Sequence, residues 1–378
     1  MRLGISVCFL FLAINVLCQV QAQEVRSSEP VRFNSDGMKL SLEKVAQSDH
    51  VIWAMDFIDA DTMIFTERPG AIKLMRLGTW EVSEVTGGPD VFRTESAGLF
   101  DILVDPDFKN NQIIYFTYVK AVAEDSSATA VAKGKLQGGK IIELQDLFVA
   151  NNASTEHAHW GSRIVMDDDR NLYFTVGDRH APNNAQDLQS HGGKIIRLTE
   201  SGGIPPDNPF VDRADALPEI WSYGHRNPQG LVIHGPTGQL FEQEHGPTGG
   251  DEINLIEPGQ NYGWPVITYG ENIWGGQLAT GTERDGMVQP IQYYKPGIAP
   301  SGMTFYFGTR YPAWNGDLFN GTLRGHINRV VLDDNKVIRE ERLLKDFWDR
   351  VRDIARGPDD RLYLCTESGK ILRIILAE

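Results

Sequence analysis

The chain has 378 residues, with 51 acidic against 36 basic side chains and a formal net charge of −15. A surface that acidic argues against nucleic acid and anionic membranes as partners. The length would ordinarily suggest two domains, but all-β barrels and propellers of this size form one unit.

The first 22 residues read as a secretory signal peptide. Arg2 is a short basic start, Ile5 to Val16 is an apolar run too short to span a bilayer, and Val20-Gln21-Ala22 has the small-x-small form before a cleavage point at Gln23. Leu17 before Cys18 is too bulky for lipid attachment. A periplasmic or secreted protein without a membrane span is therefore expected, its mature part (23–378) one unit more negative for the loss of Arg2. Cys8 and Cys18 would leave with the signal. Cys365, inside the apolar run Leu362 to Cys365, is expected to be a buried, inert thiol, so the fold has no disulfide to lean on.

Beyond the signal, Val31 to Val45 reads as a strand able to close a ring with the C-terminal part. One phrase then recurs along the chain: a turn, a short strand opening on a large apolar residue, a polar break and a second strand. It occurs at Met63–Glu67 with Ile72–Met75, at Ile113–Thr117, and at Leu172–Asp178 with Lys194–Leu198. It returns at Leu240–Glu244 with Glu252–Ile256, at Leu318–Thr322 with Asn328–Leu332, and at Leu362–Thr366 with Lys370–Ile374. Six copies at roughly 45–80-residue spacing suit propeller blades with loop insertions. The strands are rich in Val, Ile, Tyr and Phe and bounded by Gly, Asp and Pro, while helix-period stretches are nearly absent. The fold class is all-β, a six-bladed β-propeller in one domain, with the unusual loops gathered around one end of the central channel.

Three loop clusters carry chemistry. In Glu156-His-Ala-His-Trp-Gly-Ser-Arg163, His157 and His159 would point the same way from an extended segment, yet no third nitrogen or sulfur ligand follows for a metal. One of them either bonds a turn or, lying just ahead of a blade strand, faces the channel as a general base. Arginines form the second cluster: Arg226, Arg324, and the alternating Arg350 and Arg352. The last two either pair with Asp349 and Asp353 or clamp carboxylates or phosphates. No phosphate-binding glycine loop is present to favour phosphate cofactors. The third is Gly246-Pro-Thr-Gly-Gly-Asp-Glu252, whose exposed carbonyls and adjacent carboxylates suit calcium rather than zinc, although Gly-Asp turns are often only turns.

Over roughly Gly98 to Ile374 these segments resemble the soluble aldose (glucose) dehydrogenases that depend on pyrroloquinoline quinone (PQQ). The landmarks come in family order: Gly98-Leu-Phe with Asp105-Pro-Asp-Phe, His159 with Arg163, Gly177-Asp-Arg179 and Gly192-Gly-Lys-Ile-Ile-Arg-Leu. Then follow Pro206-Asp-Asn-Pro-Phe, Gly224-His-Arg-Asn-Pro-Gln-Gly, Glu244-His-Gly-Pro, Gly250-Asp-Glu-Ile-Asn-Leu-Ile, Asn261-Tyr-Gly-Trp-Pro, Ile298-Ala-Pro-Ser-Gly and Arg350-Val-Arg-Asp. The resemblance implies a six-bladed propeller that oxidises the C1 hydroxyl of an aldose to the lactone with PQQ and calcium. His159 falls on the general base, and Arg226, Asn227, Thr322, Arg324, Arg350 and Arg352 on quinone contacts. The carbonyls of Gly246 and Pro247 fall on a catalytic calcium, Glu252 and the Tyr262 carbonyl on a structural one, and Ser96 and Asp178 on the sugar side. The implied partners are a sugar and an external electron acceptor, with a monomer or homodimer as the assembly.

The chain departs from the family pattern in three places. Ser96 stands where a glutamine is expected, Arg324 where a lysine is expected, and Ile273-Trp274 where some relatives carry a tyrosine. The base and the calcium loop are retained, which favours an enzyme over the alternative of a propeller of the same fold that only binds a ligand or protein.

Overall fold

The computed structural model describes residues 31–272 and 279–377. The segment expected to be a signal peptide, with Cys8 and Cys18, and the pair Ile273-Trp274 lie outside the described residues. Six antiparallel sheets are arranged in a ring. Blade 1 is β3 (Ile52–Asp59), β4 (Thr62–Glu67), β5 (Ile72–Arg76) and β6 (Val82–Val85). Blade 2 is β7 (Leu99–Val104), β8 (Ile113–Ala123), β9 (Ser126–Gln137) and β10 (Lys140–Val149). Blade 3 is β11 (Gly161–Met166), β12 (Asn171–Val176), β13 (Lys194–Thr199) and β14 (Ile220–Tyr223). Blade 4 is β15 (Pro228–His234), β16 (Gln239–Glu244), β17 (Asp251–Ile256) and β18 (Gln292–Tyr294). Blade 5 is β19 (Pro300–Phe305), β20 (Leu318–Thr322), β21 (Ile327–Asp333) and β22 (Lys336–Leu343). Blade 6 joins both ends of the chain: β23 (Val351–Arg356), β24 (Leu362–Thr366) and β25 (Lys370–Leu376) from the C-terminus, then β2 (Met38–Gln47) and β1 (Arg32–Ser35) from the N-terminus.

The expected closure is present. β2 pairs antiparallel with β25 in a register that sets Leu42 opposite Ile374. The recurring phrase corresponds to the second and third strands of five blades and to the second strand of blade 2. These middle strands are covered by neighbouring blades on both faces, so they read as apolar runs; every residue of β12, Asn171-Leu-Tyr-Phe-Thr-Val176, is buried. Aromatic rings fill the gaps between blades, as where Phe148 meets Phe174 edge to face at 4.9 Å. Cys365 is a free, fully buried thiol in this packing.

The innermost strands β3, β7, β11, β15, β19 and β23 touch in a closed ring around the axis. One guanidinium holds that ring. Arg163 on β11 donates to Asp353 of β23 at 3.0 Å and lies 3.4 Å from Asp101 of β7. It also donates to the carbonyls of Gln229 on β15 (2.8 Å) and Arg352 on β23 (2.6 Å), and covers the Trp53 ring of β3 at 4.1 Å. β19 makes room with Gly302, where an added Cβ would come within 2.1 Å of the Asp353 carboxylate.

Two buried carboxylates around one guanidinium leave an excess negative charge. Burial pushes the Asp353 carboxyl up to about 7, against the pull of Arg163 and with a further push from Asp101. Its folded value therefore lies above its unfolded one. Ionised Asp353 costs stability above pH 7, and that cost is relieved progressively as pH falls from the folded value toward the unfolded one, because only the folded state holds the proton in that window. Between pH 8 and pH 5.5 proton uptake by the Asp353–Asp101 pair should therefore raise stability, at a slope of at most about 1.36 kcal/mol per pH unit for one proton. Denaturant melts of wild type and Asp353→Asn at both pH values check this, since the variant leaves Asp101 as the one carboxylate against Arg163 and so removes the repulsion within the pair. An equal pH response in the two would refute the assignment.

Candidate active site

Strand direction alternates within a blade, so the turns between second and third strands and the connections between blades emerge at the same end of the ring. His159 precedes β11, Ser96 precedes β7, Arg226 and Asn227 precede β15, and Arg68 and Gly246 lie in the β4–β5 and β16–β17 turns. A cavity of about 170 Å³ opens there, with Ser96, His159, Asn227 and Arg352 in its wall and the aromatic faces of Trp53, Phe100 and Trp160 beside them.

His159 lines this cavity with an imidazole held by a buried carboxylate. Its Nδ1 lies 2.6 Å from Asp178 Oδ1, and Asp178 Oδ2 accepts the indole N–H of Trp264 at 2.8 Å. Carboxylates accept, so Nδ1 carries the proton and Nε2 keeps its lone pair. Burial lowers the imidazole to about 4, opposed by Asp178 and assisted by Arg226 and His180. Burial would raise Asp178, but the hydrogen bond from His159, then Trp264 and Arg226, take it below the ordinary carboxylate range. The site thus holds a neutral base backed by an ionised acceptor. Asp178, with a side chain only 1% exposed, lies behind the imidazole and is not among the residues lining the cavity, so it meets the site through His159.

The base is held in an unusual backbone shape. His159 has φ +55°, a left-handed conformation uncommon for a side chain of this size. Arg179, 1% exposed, stacks on Trp160 at 3.3 Å and donates to the carbonyls of Ala158 (2.6 Å) and Glu156, which fixes the loop from behind. Gly177 is required in front of it, since a Cβ there would sit 2.1 Å from the His159 carbonyl.

The sequence candidates fall into two groups. Asn227 lines the cavity and its Oδ1 accepts from Gly161 N and Gln229 Nε2 at 3.3 and 3.2 Å. Ser96 lines it with its hydroxyl turned to the His157 carbonyl. Arg352 lines it with Nε on Glu367. Thr322 is fully buried and donates to the His326 carbonyl at 2.8 Å. Arg324 and Arg350 are exposed, and none of these three is among the residues lining the cavity. Arg350 precedes β23 instead of lying within it, and the register of β23 shifts between Val351 and Asp353, so strict alternation does not carry both arginines into one wall. The structural pairing considered for them does not form either: Asp353 pairs with Arg163 and Asp349 with Lys370 at 3.0 Å.

A second, ion-sized cavity of about 10 Å³ adjoins, lined by Arg226, Glu244, Gly246, Glu252 and Tyr262, with Pro247 not among its lining residues. The β16–β17 register sets Glu244 opposite Glu252 and Glu242 opposite Asn254, and positions two apart share a face. Glu242 is fully buried with Oε1 unpaired, and Asn254 donates to Oε2 at 3.0 Å. His225, Glu242 and Glu244 bring ligand atoms within 4.8 Å of one another. Burial, and after it repulsion from Glu244, push Glu242 and Glu252 well above the ordinary carboxylate range. Arg226 reaches this group through its backbone N–H, which donates to Glu244, and its guanidinium donates to the Gly246 carbonyl at 2.8 Å. Oxygen donors, an orphaned carboxylate oxygen and a shortage of positive charge fit a hard divalent cation such as calcium. Gly246, Glu252 and Tyr262, which the resemblance divides between two ions, line this one cavity, and Glu244 joins them.

Arg68, Arg179, Gln229, Glu244, Trp264 and Glu367 were not singled out from the sequence. The signal lay in short phrases: Thr66-Glu-Arg68 and Thr366-Glu367 close second strands of blades, and Trp264 belongs to the quoted Asn261-Tyr-Gly-Trp-Pro segment.

The sequence profile described as Glucose / Sorbosone dehydrogenase matches residues 49–373. Aldose sugar dehydrogenase YliI of Escherichia coli is 36% identical over 335 residues, covering 85% of this chain and 89% of that protein. The apo crystal structure of the soluble aldose sugar dehydrogenase from Escherichia coli superposes with a TM-score of 0.86 at 35% identity, over 89% of this chain and 100% of that one. The PQQ-bound aldose sugar dehydrogenase of Streptomyces coelicolor gives a TM-score of 0.73 at 25% identity, over 90% and 99%. With a profile match over most of its length and a relative of that identity and coverage, the chain belongs to the glucose/sorbosone dehydrogenase family.

Proposed function

We propose that this protein is a PQQ- and calcium-dependent aldose sugar dehydrogenase, exported to the periplasm or beyond, that oxidises the C1 hydroxyl to the lactone and passes electrons to an external acceptor. One observation carries the reading. A neutral histidine with a carboxylate behind it opens into the same cavity as a guanidinium, next to an ion-sized pocket of buried carboxylates. The named relatives support the sugar and the quinone.

When bound, the quinone would accept hydride and the calcium would polarise its carbonyl. The chain's own residues do the rest. His159 Nε2 takes the proton of the C1 hydroxyl, and Asp178 stabilises the imidazolium that forms, in the orientation Trp264 and Arg179 enforce. Arg226, Asn227 and Arg352 hold the quinone, with Thr322, Arg324 and Arg350 outside the cavity wall as further contacts. The Gly246 and Pro247 carbonyls with Glu252 and Tyr262, joined by Glu244, hold calcium. Ser96 faces the sugar side.

His159→Gln should bind PQQ as tightly as wild type, by absorbance titration, yet turn over about a hundredfold more slowly, the usual share of a general base. Near-normal turnover would remove His159 from the role. Because burial lowers this imidazole to about 4, the acid limb of kcat/KM should fall near that pH; a midpoint near 6.5 would contradict the geometry.

Thorough chelation should lower the melting temperature and calcium should restore it, because an ion held only by the folded state stabilises it by mass action. Glu252→Gln should blunt that response. An unchanged melting curve after chelation would argue for a metal-free loop.

A further inference from the structure

The wall of the His159 cavity carries two guanidiniums, Arg352 and Arg68, with one carboxylate between them. Glu367 takes Arg352 Nε on one oxygen, and Arg68 Nη1 lies 3.3 Å from the other. Arg68 is fixed at its backbone. Its N–H donates to the Val51 carbonyl at 3.0 Å, and its carbonyl accepts from Leu99 N at 2.9 Å. A Cβ on Gly98 would come within 1.7 Å of that carbonyl oxygen. The side chain is 16% exposed, and Arg68 is among the residues that line the cavity.

Charge decides what this arrangement can do. Glu367 alone would neutralise Arg352 and leave that wall with no net attraction for an anion. A second guanidinium on the same carboxylate restores one positive charge, and each planar fork keeps donors that Glu367 does not use. The neighbouring Ser96 hydroxyl is spent on the His157 carbonyl, so Arg68 is the strong donor on that side.

We propose that Arg68 contacts a carboxylate of the bound quinone, acting with Arg352 as a pair that Glu367 positions. The assignment rests on the PQQ reading above. PQQ is titrated by absorbance into the apo forms of wild type, Arg68→Met, Arg68→Lys, Glu367→Gln and the double variant Arg68→Met/Glu367→Gln, with melts of each. Arg68→Met should weaken PQQ binding at least about tenfold, the scale of a charge-assisted contact, with little change in apo melting. Arg68→Lys should recover most of the loss, and KM for glucose at saturating PQQ should not move. In the Glu367→Gln background, Arg68→Met should still lower affinity, which a role confined to pairing with Glu367 would not produce.

Unchanged PQQ affinity in Arg68→Met, or equal affinity of Glu367→Gln with and without Arg68, overturns the assignment. A raised glucose KM with unaltered PQQ affinity gives Arg68 to the sugar and overturns it as well. Failure of wild type to bind PQQ strikes the proposed function itself, and this assignment with it.

Discussion

The architecture turns on the environment of Arg163. A propeller has no continuous core along its axis, because six innermost strands meet there edge to edge and leave a channel. Filling that channel with apolar groups would require matched shapes from six blades. A guanidinium offers five donors in a plane, which suits several partners approaching from different sides. Arg163 bonds β7, β15 and β23 and lies over Trp53 of β3, while β19 clears space with Gly302. Burying such a group is costly unless every donor is met, so it weakly favours stability and strongly fixes which blades meet. The catalytic-face loops inherit that alignment, because Gly161 opens the strand that carries Arg163 and His159 lies just before it.

The parts of the fold legible in the sequence were those buried on both faces. Second and third strands such as Leu172–Val176 and Leu362–Thr366 lie between neighbouring blades, so their apolar runs repeat and can be counted. The innermost strands escaped the count for the opposite reason. Asp101, Arg163, Gln229, Gly302 and Asp353 give them polar or glycine positions where a core strand would be apolar. The segment Val31–Val45, read as one closing strand, is a hairpin of β1 and β2, and only β2 pairs with the C-terminal β25.

The candidate site was legible where its residues share a loop. His159, Arg226 and Asn227 sit in segments dense in Gly, Pro and polar side chains, and the cavity includes His159 and Asn227 while Arg226 reaches the adjoining one. Residues contributed singly by distant blades carried no such density. Arg68 and Glu367 look like ordinary ends of hairpin strands, and only the ring brings positions 299 residues apart to 3.3 Å. The alternation argument for Arg350 and Arg352 failed to place both in the wall because it assumed a regular strand, whereas β23 begins one residue later and is bulged.

Charge is distributed across the site with a clear polarity. On the blade 4 side, Glu244 and Glu252 line a small pocket with Arg226 in its wall, and Glu242 lies beside Glu244 in the same buried cluster. On the blade 1 and blade 6 side, Arg68 and Arg352 outnumber Glu367. A strongly acidic protein would ordinarily repel an anion, and a cluster of buried carboxylates would ordinarily neutralise itself by taking up protons. Both tensions ease together if a hard cation sits on the acidic side and a planar polyanion spans from it to the guanidiniums. His159, kept neutral by burial and oriented by Asp178, opens into the same cavity as the guanidiniums, where a proton leaving a hydroxyl would otherwise have no acceptor. The electrostatics therefore call for cation and anion as a pair. A variant that removed the acidic pocket would lose its cation, and with the cation the attraction that offsets the carboxylates' own repulsion of the anion.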